Sequence, residues 1–414
     1  MYTGGVSHIF LCELHRGTQM LHSFAVTNFQ SFRERVEIDL TVTRRAPATD
    51  WISSSATGHR ILKVLGAIGA NGAGKTALLK PMAFLGWFLR DSFGAPLESG
   101  IPVQPHAAAP SEPVELECTA DIDGQLWRYT LQCTPRRVLR EALYRKGERF
   151  RPVFIRKWDE AVQGYKVQQA DFGFDPDKAR EVRPNVSMIA GAAQYGVPLA
   201  VRLAAVQIYS NVNVLGRMAA NDQVVMQAAQ FFHGNEVLRD EAQQLLCAWD
   251  LGLSGIRIQE VEGPNPLQPD QQQKYWIPFG HHKSHDREFA LPFQLESSGT
   301  RSAFALLSLL LATLHTGGLA VIDEFESDLH PHMIGAILEL FANSRTNPNR
   351  AQLLFTSHAM EVLTVLDKYH IALVEKNADC ESSAVRLDRI TGARTDISLY
   401  AKYMAGAFGA VPNI

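Results

Sequence analysis

The chain has 414 residues, of which 46% are hydrophobic and 20% charged, and its formal net charge is −3. That length suits two or three compact units, and the composition excludes a disordered or collagen-like chain. A net charge this small excludes a chain that is basic throughout, so any contact with nucleic acid must be local.

The five cysteines, Cys12, Cys118, Cys133, Cys247 and Cys380, are scattered and form no C-x-x-C pair. This argues against a disulfide framework and a structural zinc, and it fits a reducing, cytoplasmic setting. The longest apolar run, Ala303 to Leu314, is too short to span a bilayer and contains Ser308 and Thr313. No membrane role is expected.

Residues 1–19 carry neither a basic n-region nor a long apolar stretch, so they do not read as a signal peptide. They are expected to be an extension or arm outside the fold. From Met20 to Leu40 apolar and polar residues alternate in two runs, which predicts a hairpin with Asn28 to Glu34 at its bend. Thr41 to His59 is polar and reads as a loop.

Ile61 to Ile68 is an apolar run that reads as one buried strand. Directly after it comes Gly69-Ala70-Asn71-Gly72-Ala73-Gly74-Lys75-Thr76, which fits G-x-x-x-x-G-K-[ST], the P-loop. Ala77 to about Phe93 continues as a helix. The strand–loop–helix context is what this motif needs. Gly69, Gly72 and Gly74 let backbone N–H groups turn inward around a phosphate, with Asn71 in the same loop. Lys75 reaches the β- and γ-phosphates of ATP, and the Thr76 hydroxyl sits on Mg²⁺.

Gly94 to Pro113 is rich in Pro and Ala and reads as extended. Four strand-like pieces follow between Val114 and Lys157, with Asp123-Gly124 as a hairpin turn, and predict an antiparallel meander. Nine basic residues fall within it: Arg136, Arg137, Arg140, Arg145, Lys146, Arg149, Arg151, Arg156 and Lys157. Aligned on one face they suit duplex DNA or an acidic partner; a solvated strand face is the plainer reading.

From Asp175 the spacing turns helical, over Val197–Tyr209 and Asp222–Asp250. Gly255–Val261 is a strand candidate and Gly263–Gln273 a loop. Tyr275–Phe279 and Glu288–Phe293 predict a second hairpin with His281, His282 and His285 at its tip, where solvated histidines are favoured over a zinc site.

Glu296-Ser297-Ser298-Gly299-Thr300 opens a long apolar helix that Gly317-Gly318 stops. Leu319 to Ile322 then leads into Asp323-Glu324, a Walker B strand. Asp323 is the second expected Mg²⁺ residue, and Glu324 orients or deprotonates the attacking water. Leu353–Thr356 is another apolar strand, ending in Ser357-His358, 34 residues after Glu324. His358 stands where a γ-phosphate-sensing histidine is expected.

The order of P-loop, Ser-x-Gly at a helix start, Walker B and histidine is that of ABC-type ATPase heads. About 250 residues between Thr76 and Asp323 leave room for an insert between two lobes. FAVTNFQSF, GANGAGKT, ESSGTR, VIDEFESDLHP, FTSHAMEVL and YMAGAFGAVPNI resemble the RecF/SMC-related ABC ATPases. Within them the chain is most similar to AAA-type ATPases of the RloA/AbiLi kind, related to OLD proteins and to the Septu and PARIS antiphage ATPases. The expected fold is therefore an α/β ABC-ATPase (RecF/SMC-like) head with a P-loop core sheet, an antiparallel β lobe and a mainly helical insert. The expected divisions are 1–19 extension, 20–174 N-terminal lobe, 175–254 helical insert and 255–414 C-terminal lobe.

The resemblance implies ATP-dependent homodimers or higher oligomers. Each nucleotide would be sandwiched between one subunit's P-loop and the other's Ser297 and Gly299. The signature begins Glu-Ser-Ser-Gly where transporter heads have Leu-Ser-Gly-Gly, which argues against a transporter subunit. Gln104 is the candidate Q-loop residue, and Ser31 and Phe32 are candidate weak contacts. No paired-carboxylate or Cys/His arrangement suggests a second active site. The function expected is an ATP-hydrolysing sensor or regulator of antiphage defence, acting on a separate nuclease or toxin. The alternatives are a RecF-type DNA-clamping ATPase and a scaffold whose ATP site sets assembly. The Met404–Ile414 tail either packs on its own lobe or serves a partner.

Overall fold

The computed structural model describes residues 19–249, 252–265, 268–285, 287–390 and 399–409. The expected extension, apart from Gln19, and the end of the C-terminal tail lie outside these residues.

The first hairpin forms as expected, from β1 (Gln19–Thr27) and β2 (Val36–Asp39), with Phe24 opposite Ile38. Its bend is anchored, because the Asn28 amide donates to the carbonyls of Ala109 and Glu112. The stretch read as a plain loop contains β3 (Ile52–Ser54), paired with β4 (Arg60–Leu62). The apolar run 61–68 is thus two strands rather than one. Lys63 interrupts it by sending its ammonium to the Ala342 carbonyl at 2.6 Å. β5 (Val64–Ile68) begins there and leads through the P-loop into α1 (Lys75–Asp91).

The meander has five strands: β6 (Val114–Ile122), β7 (Gln125–Cys133), β8 (Val138–Lys146), β9 (Phe150–Asp159) and β10 (Gly164–Gln169). The last was not read from the sequence. β6 pairs with β1, which gives a seven-stranded antiparallel sheet ordered β10-β9-β8-β7-β6-β1-β2.

Residues 175–254 do not stand apart as one helical body. α2 (Pro176–Glu181), α3 (Met188–Gln194) and α4 (Pro198–Ala204) come first, and Met188, Ile189, Ala200 and Leu203 pack into the core shared by α1 and the antiparallel sheet. The helix expected over Val197–Tyr209 ends early. Ile208–Ser210 is instead strand β11, the edge of the central sheet. The helix expected over Asp222–Asp250 is two, α5 (Asp222–Gly234) and α6 (Glu236–Ala248). They break at Asn235, whose backbone lies outside the helical region. Both pack on the other core.

The loop expected over Gly263–Gln273 is paired strand. β12 (Gly255–Asn265) and β13 (Gln268–Ser284) form one long hairpin, with Gly263 opposite Gln273. β14 (Arg287–Pro292) adds to β13 near its end. His281 and His282 lie within β13, opposite Ala290 and Phe289, not at a tip.

The helix after Glu296, the Walker B strand, the next helix and the strand before His358 follow the expected order, and four further elements come after them. They are α7 (Ser298–Thr316), β15 (Leu319–Ile322), α8 (Pro331–Ala342), β16 (Gln352–Thr356), α9 (Val362–Val365), β17 (Ile371–Lys376), β18 (Ser382–Arg386) and α10 (Leu399–Met404). Ser297 caps α7, and Gly317 ends it at φ 75°.

The central sheet runs β11-β15-β16-β5-β17-β18, parallel except for β18. Strand alternation sends Leu65 and Ala67 into the core facing the antiparallel sheet, and Val64 and Ile68 into the core facing α5–α8. With both faces covered, β5 is buried along its whole length. The P-loop therefore leaves the C-terminal end of a rigid interior strand, where ligands of open α/β sheets bind.

Candidate nucleotide site

β16 and β17 flank β5, and β15 lies beyond β16. The sheet thus delivers the ends of three parallel strands to one place: the P-loop after β5, Asp323-Glu324 after β15 and Ser357-His358 after β16. The Thr76 hydroxyl donates to the Asp323 carboxylate at 2.8 Å. The Thr356 hydroxyl donates to the other carboxylate oxygen at 2.6 Å. Asn211 clamps the Asp323 backbone, accepting from its N–H at 2.8 Å and donating to its carbonyl at 3.0 Å.

Lys75 is buried, and its ammonium points back to the loop's own carbonyls, Gly69 at 2.8 Å and Ala70 at 3.0 Å. His358 Nδ1 lies 3.4 Å from the same nitrogen. Burial lowers the Lys75 pKa, while Asp323, Glu326 and Glu324 raise it. A desolvated cation at the foot of a phosphate loop favours an anion beside it.

Glu324 adopts φ 48°, uncommon for a residue with a side chain. Its N–H donates to the Thr356 hydroxyl at 2.8 Å, which fixes the backbone. The carboxylate takes the Ser327 hydroxyl at 3.1 Å and pairs with Arg217 at 2.9 Å. The His358 N–H donates to Glu326 at 2.5 Å.

The glycines are required by space as well as by conformation. A Cβ on Gly74 (φ 109°) would lie 2.5 Å from Ser382 Oγ and 2.7 Å from Ser31 Oγ. Gly69 (φ 159°) faces the Val374 carbonyl too closely for any side chain. Gly72 has φ 74°, and Asn71 is exposed at the outside of the loop.

Beside α1 lies an open cleft of about 500 Å³, lined among others by Gln30, Ser31, Lys80, Gln104, His106 and Cys380. Gln104 is thus held next to the P-loop helix, where its carbonyl accepts from the Gln30 N–H. Phe32 is fully buried and lines no part of the cleft.

Ser297 and Gly299 are not part of this cluster. Ser297 accepts from the Thr300 N–H at 3.1 Å, and Gly299 backs onto the Asp328 carbonyl. Among the described residues no hydrogen bond joins either to the P-loop.

The donor set at Thr76 and Asp323 is all oxygen, which fits Mg²⁺. The clustered histidines do not fit zinc: His282 is occupied by the Gly252 carbonyl and the Glu296 carboxylate, both at 2.8 Å. Among the described residues no group of three ligating side chains is placed to hold a metal. Asn211, Arg217, Thr356 and Ser382 were missed in the sequence. Thr356 was the most legible, since it ends the strand before His358. Arg217 and Asn211 sit in an irregular loop with no motif.

The nine basic residues do not share one face. Arg156 is fully buried, paired with the equally buried Glu141 and donating to the Val186 carbonyl. Arg140 and Lys157 sit opposite each other on the other face.

The largely parallel central sheet with its converging strand ends, and the second, antiparallel sheet, define an α/β fold built around a P-loop. The family model described as "AAA domain, putative AbiEii toxin, Type IV TA system" matches residues 68–177 and 231–364, and the chain belongs to that family. SMC heads are among the solved structures to which the chain is similar. An SmcHead bound to the C-winged helix domain of ScpA is 12% identical with a TM-score of 0.45, covering 88% of this chain and 96% of that one. The SMC head domain from Thermotoga maritima is 14% identical with a TM-score of 0.41, covering 88% and 98%. The Smc head from Pyrococcus furiosus, bound to the C-terminal domain of ScpA, is 11% identical with a TM-score of 0.46, covering 89% and 96%. No curated protein matches the chain. Among the described residues no helix is long and apolar enough to cross a membrane.

Proposed function

We propose that the chain hydrolyses ATP to ADP and phosphate and uses the cycle to regulate a separate toxin or nuclease in cytoplasmic antiphage defence. The observation that carries the ATPase reading is the 2.8 Å contact between Thr76 and Asp323, residues 247 apart in sequence. Folding has brought together two motifs that have no use for one another except around a metal-bound polyphosphate.

In this reading the P-loop N–H groups and Lys75 hold the β- and γ-phosphates. Lys75 exchanges its carbonyl partners for phosphate oxygens, a stronger, charge-assisted bond. Thr76 and Asp323 would hold Mg²⁺, which would supply positive charge against the phosphate oxygens. Glu324 orients the attacking water and takes its proton, and His358 faces the γ-phosphate. Gln104 and Ser31 border the cleft that takes the rest of the nucleotide. Ser297 and Gly299 act on the nucleotide of a second subunit, so two heads complete each site.

The family description, with its reference to toxin–antitoxin systems, supports the defence assignment. Phosphate release by the purified protein tests the first half; Lys75→Ala is expected to abolish it. Phage plating on cells carrying this gene with its neighbouring reading frame tests the second. Plaque counts unchanged by the pair, and by Lys75→Ala within it, would refute the defence role while leaving the ATPase intact.

A further inference from the structure

The loop from Asn211 to Asn221, between β11 and α5, belongs to no recognised motif, yet it touches the nucleotide site at three points. Asn211 clamps the Asp323 backbone from both sides. Lys80 of α1 donates to the Val214 carbonyl at 3.2 Å. Arg217 Nε lies 2.9 Å from Glu324 Oε2.

Resting on the ATPase reading above, we propose that Arg217 is a positioning residue that holds Glu324 at rest, and that this loop must release the carboxylate before water is activated. Oε2 of Glu324 already receives two donors, Arg217 and the Ser327 hydroxyl. Two donors on one oxygen hold the whole carboxylate in a single orientation, so it cannot turn toward a water until they let go. The Glu324 backbone cannot adjust, because φ 48° and the bond to Thr356 fix it. Only the side chain can leave, and only if Arg217 lets it.

The pair is built to be released. Its side chains are 29% and 40% exposed, against 0% for both members of the Arg156–Glu141 pair. Half-exposed ion pairs are weakly held. Release of Arg217 frees the water-activating group, while Asn211 keeps the base of the loop, and Asp323 with it, in place.

The test is steady-state phosphate release by Arg217→Ala and Arg217→Gln, with ATP affinity measured separately by calorimetry and Lys75→Ala as background. Both variants are expected to raise kcat about two- to fivefold, the range set by a half-exposed pair, with KM and ATP affinity unchanged. Arg217→Lys, which keeps the charge and loses the planar Nε donor, is expected to fall between them and the wild type. A kcat equal to wild type would overturn the proposal. So would a lower kcat at unchanged ATP affinity, which would make Arg217 a group acting on the nucleotide itself. Wild-type protein with no Lys75-dependent release would instead sink the ATPase reading, and the latch with it.

Discussion

The Ser382 hydroxyl donates to the Ala73 carbonyl at 2.6 Å, so the first residue of β18 closes the phosphate loop from behind. The Ser382 N–H also donates to the Ser31 carbonyl at 2.6 Å, which ties the bend of the first hairpin into the same wall. Gly74 is the residue that must fit between these two serines. Gly74→Ala puts a Cβ within 2.7 Å of both hydroxyls at a φ that L-residues avoid. The expected result is loss of ATP binding by at least tenfold and a destabilisation of about 1–3 kcal/mol, read by calorimetry and thermal unfolding. Ser382→Gly in the same chain relieves one clash but not the backbone strain, so it is expected to recover only part of both.

Glu324→Gln keeps the size and the Ser327 hydrogen bond of the side chain and removes its basicity. ATP affinity should be retained while turnover falls about 10²–10⁴-fold, the usual contribution of a positioned base. Gel filtration with ATP and Mg²⁺ is expected to trap a dimer that the wild type forms only transiently. Turnover at the wild-type rate would remove Glu324 from its assigned role.

The basic residues of the meander make separable predictions. Arg156 donates to the Val186 carbonyl, stacks on Tyr165 at 3.7 Å and pairs with Glu141, while Glu141 in turn accepts from Tyr129, Ser187 and the Met188 N–H. Burial, then the Glu141 charge, pushes the Tyr129 phenol far above its ordinary range. Glu141→Ala leaves an uncompensated buried guanidinium and is expected to cost about 3–5 kcal/mol. If duplex DNA binds the outer face, Arg140→Ala and Lys157→Ala should each lower the salt slope of binding by about one. Loss of DNA binding from changes at Arg156 would instead follow loss of fold.

Much of the site was legible because P-loop, Walker B and histidine are each a strand end followed by a fixed residue type. Parallel pairing of β15, β16 and β5 then brings those ends together. What was not legible depended on pairing over distance. Gly263 to Gln273 looks like a loop by its prolines and glutamines, yet the two halves of that run pair as the arms of one hairpin. Ile208–Ser210 continues a helical pattern locally and becomes a strand because β15 offers it an edge. Arg156 reads as one more surface cation until β9 and β8 come into register and set it against Glu141. Charge runs report composition, and only the fold assigns each member a face.

His22 carries a pH signature. It is buried on β1 with its ring edge-on to His59 at 5.0 Å, and Asp121 and Asp39 also face it. Burial first, then His59, lowers its pKa to about 4, and the two carboxylates offset this only in part. The folded state therefore binds fewer protons than the unfolded state between about pH 4 and 6.5. Stability should be fully present above pH 6.5 and fall as pH drops toward 4, by on the order of 2 kcal/mol. Thermal unfolding of His22→Gln against the wild type across that window is the check. A variant with the same slope as the wild type would assign the pH dependence to other groups.

Ser297 caps α7, and one substitution separates that role from the in-trans role proposed for it. As the cap of α7 it accepts from the Thr300 N–H, and Ser297→Ala is expected to cost about 1 kcal/mol whatever its part in chemistry. Aspartate is an equally good cap, so Ser297→Asp should leave the melting temperature near wild type. If the serine faces a neighbouring subunit's nucleotide, the new carboxylate meets a polyphosphate and turnover should fall steeply. Complementation then decides between a site in cis and one in trans. Mixed with Lys75→Ala protein, Ser297→Asp protein forms heterodimers in which the intact P-loop of one subunit meets the intact Ser297 of the other. Activity should return in the mixture, approaching a quarter of wild type when random pairing makes half of the dimers mixed, each with one working site of two. Two inactive variants that stay inactive together would place both residues in the same site and contradict the two-headed arrangement.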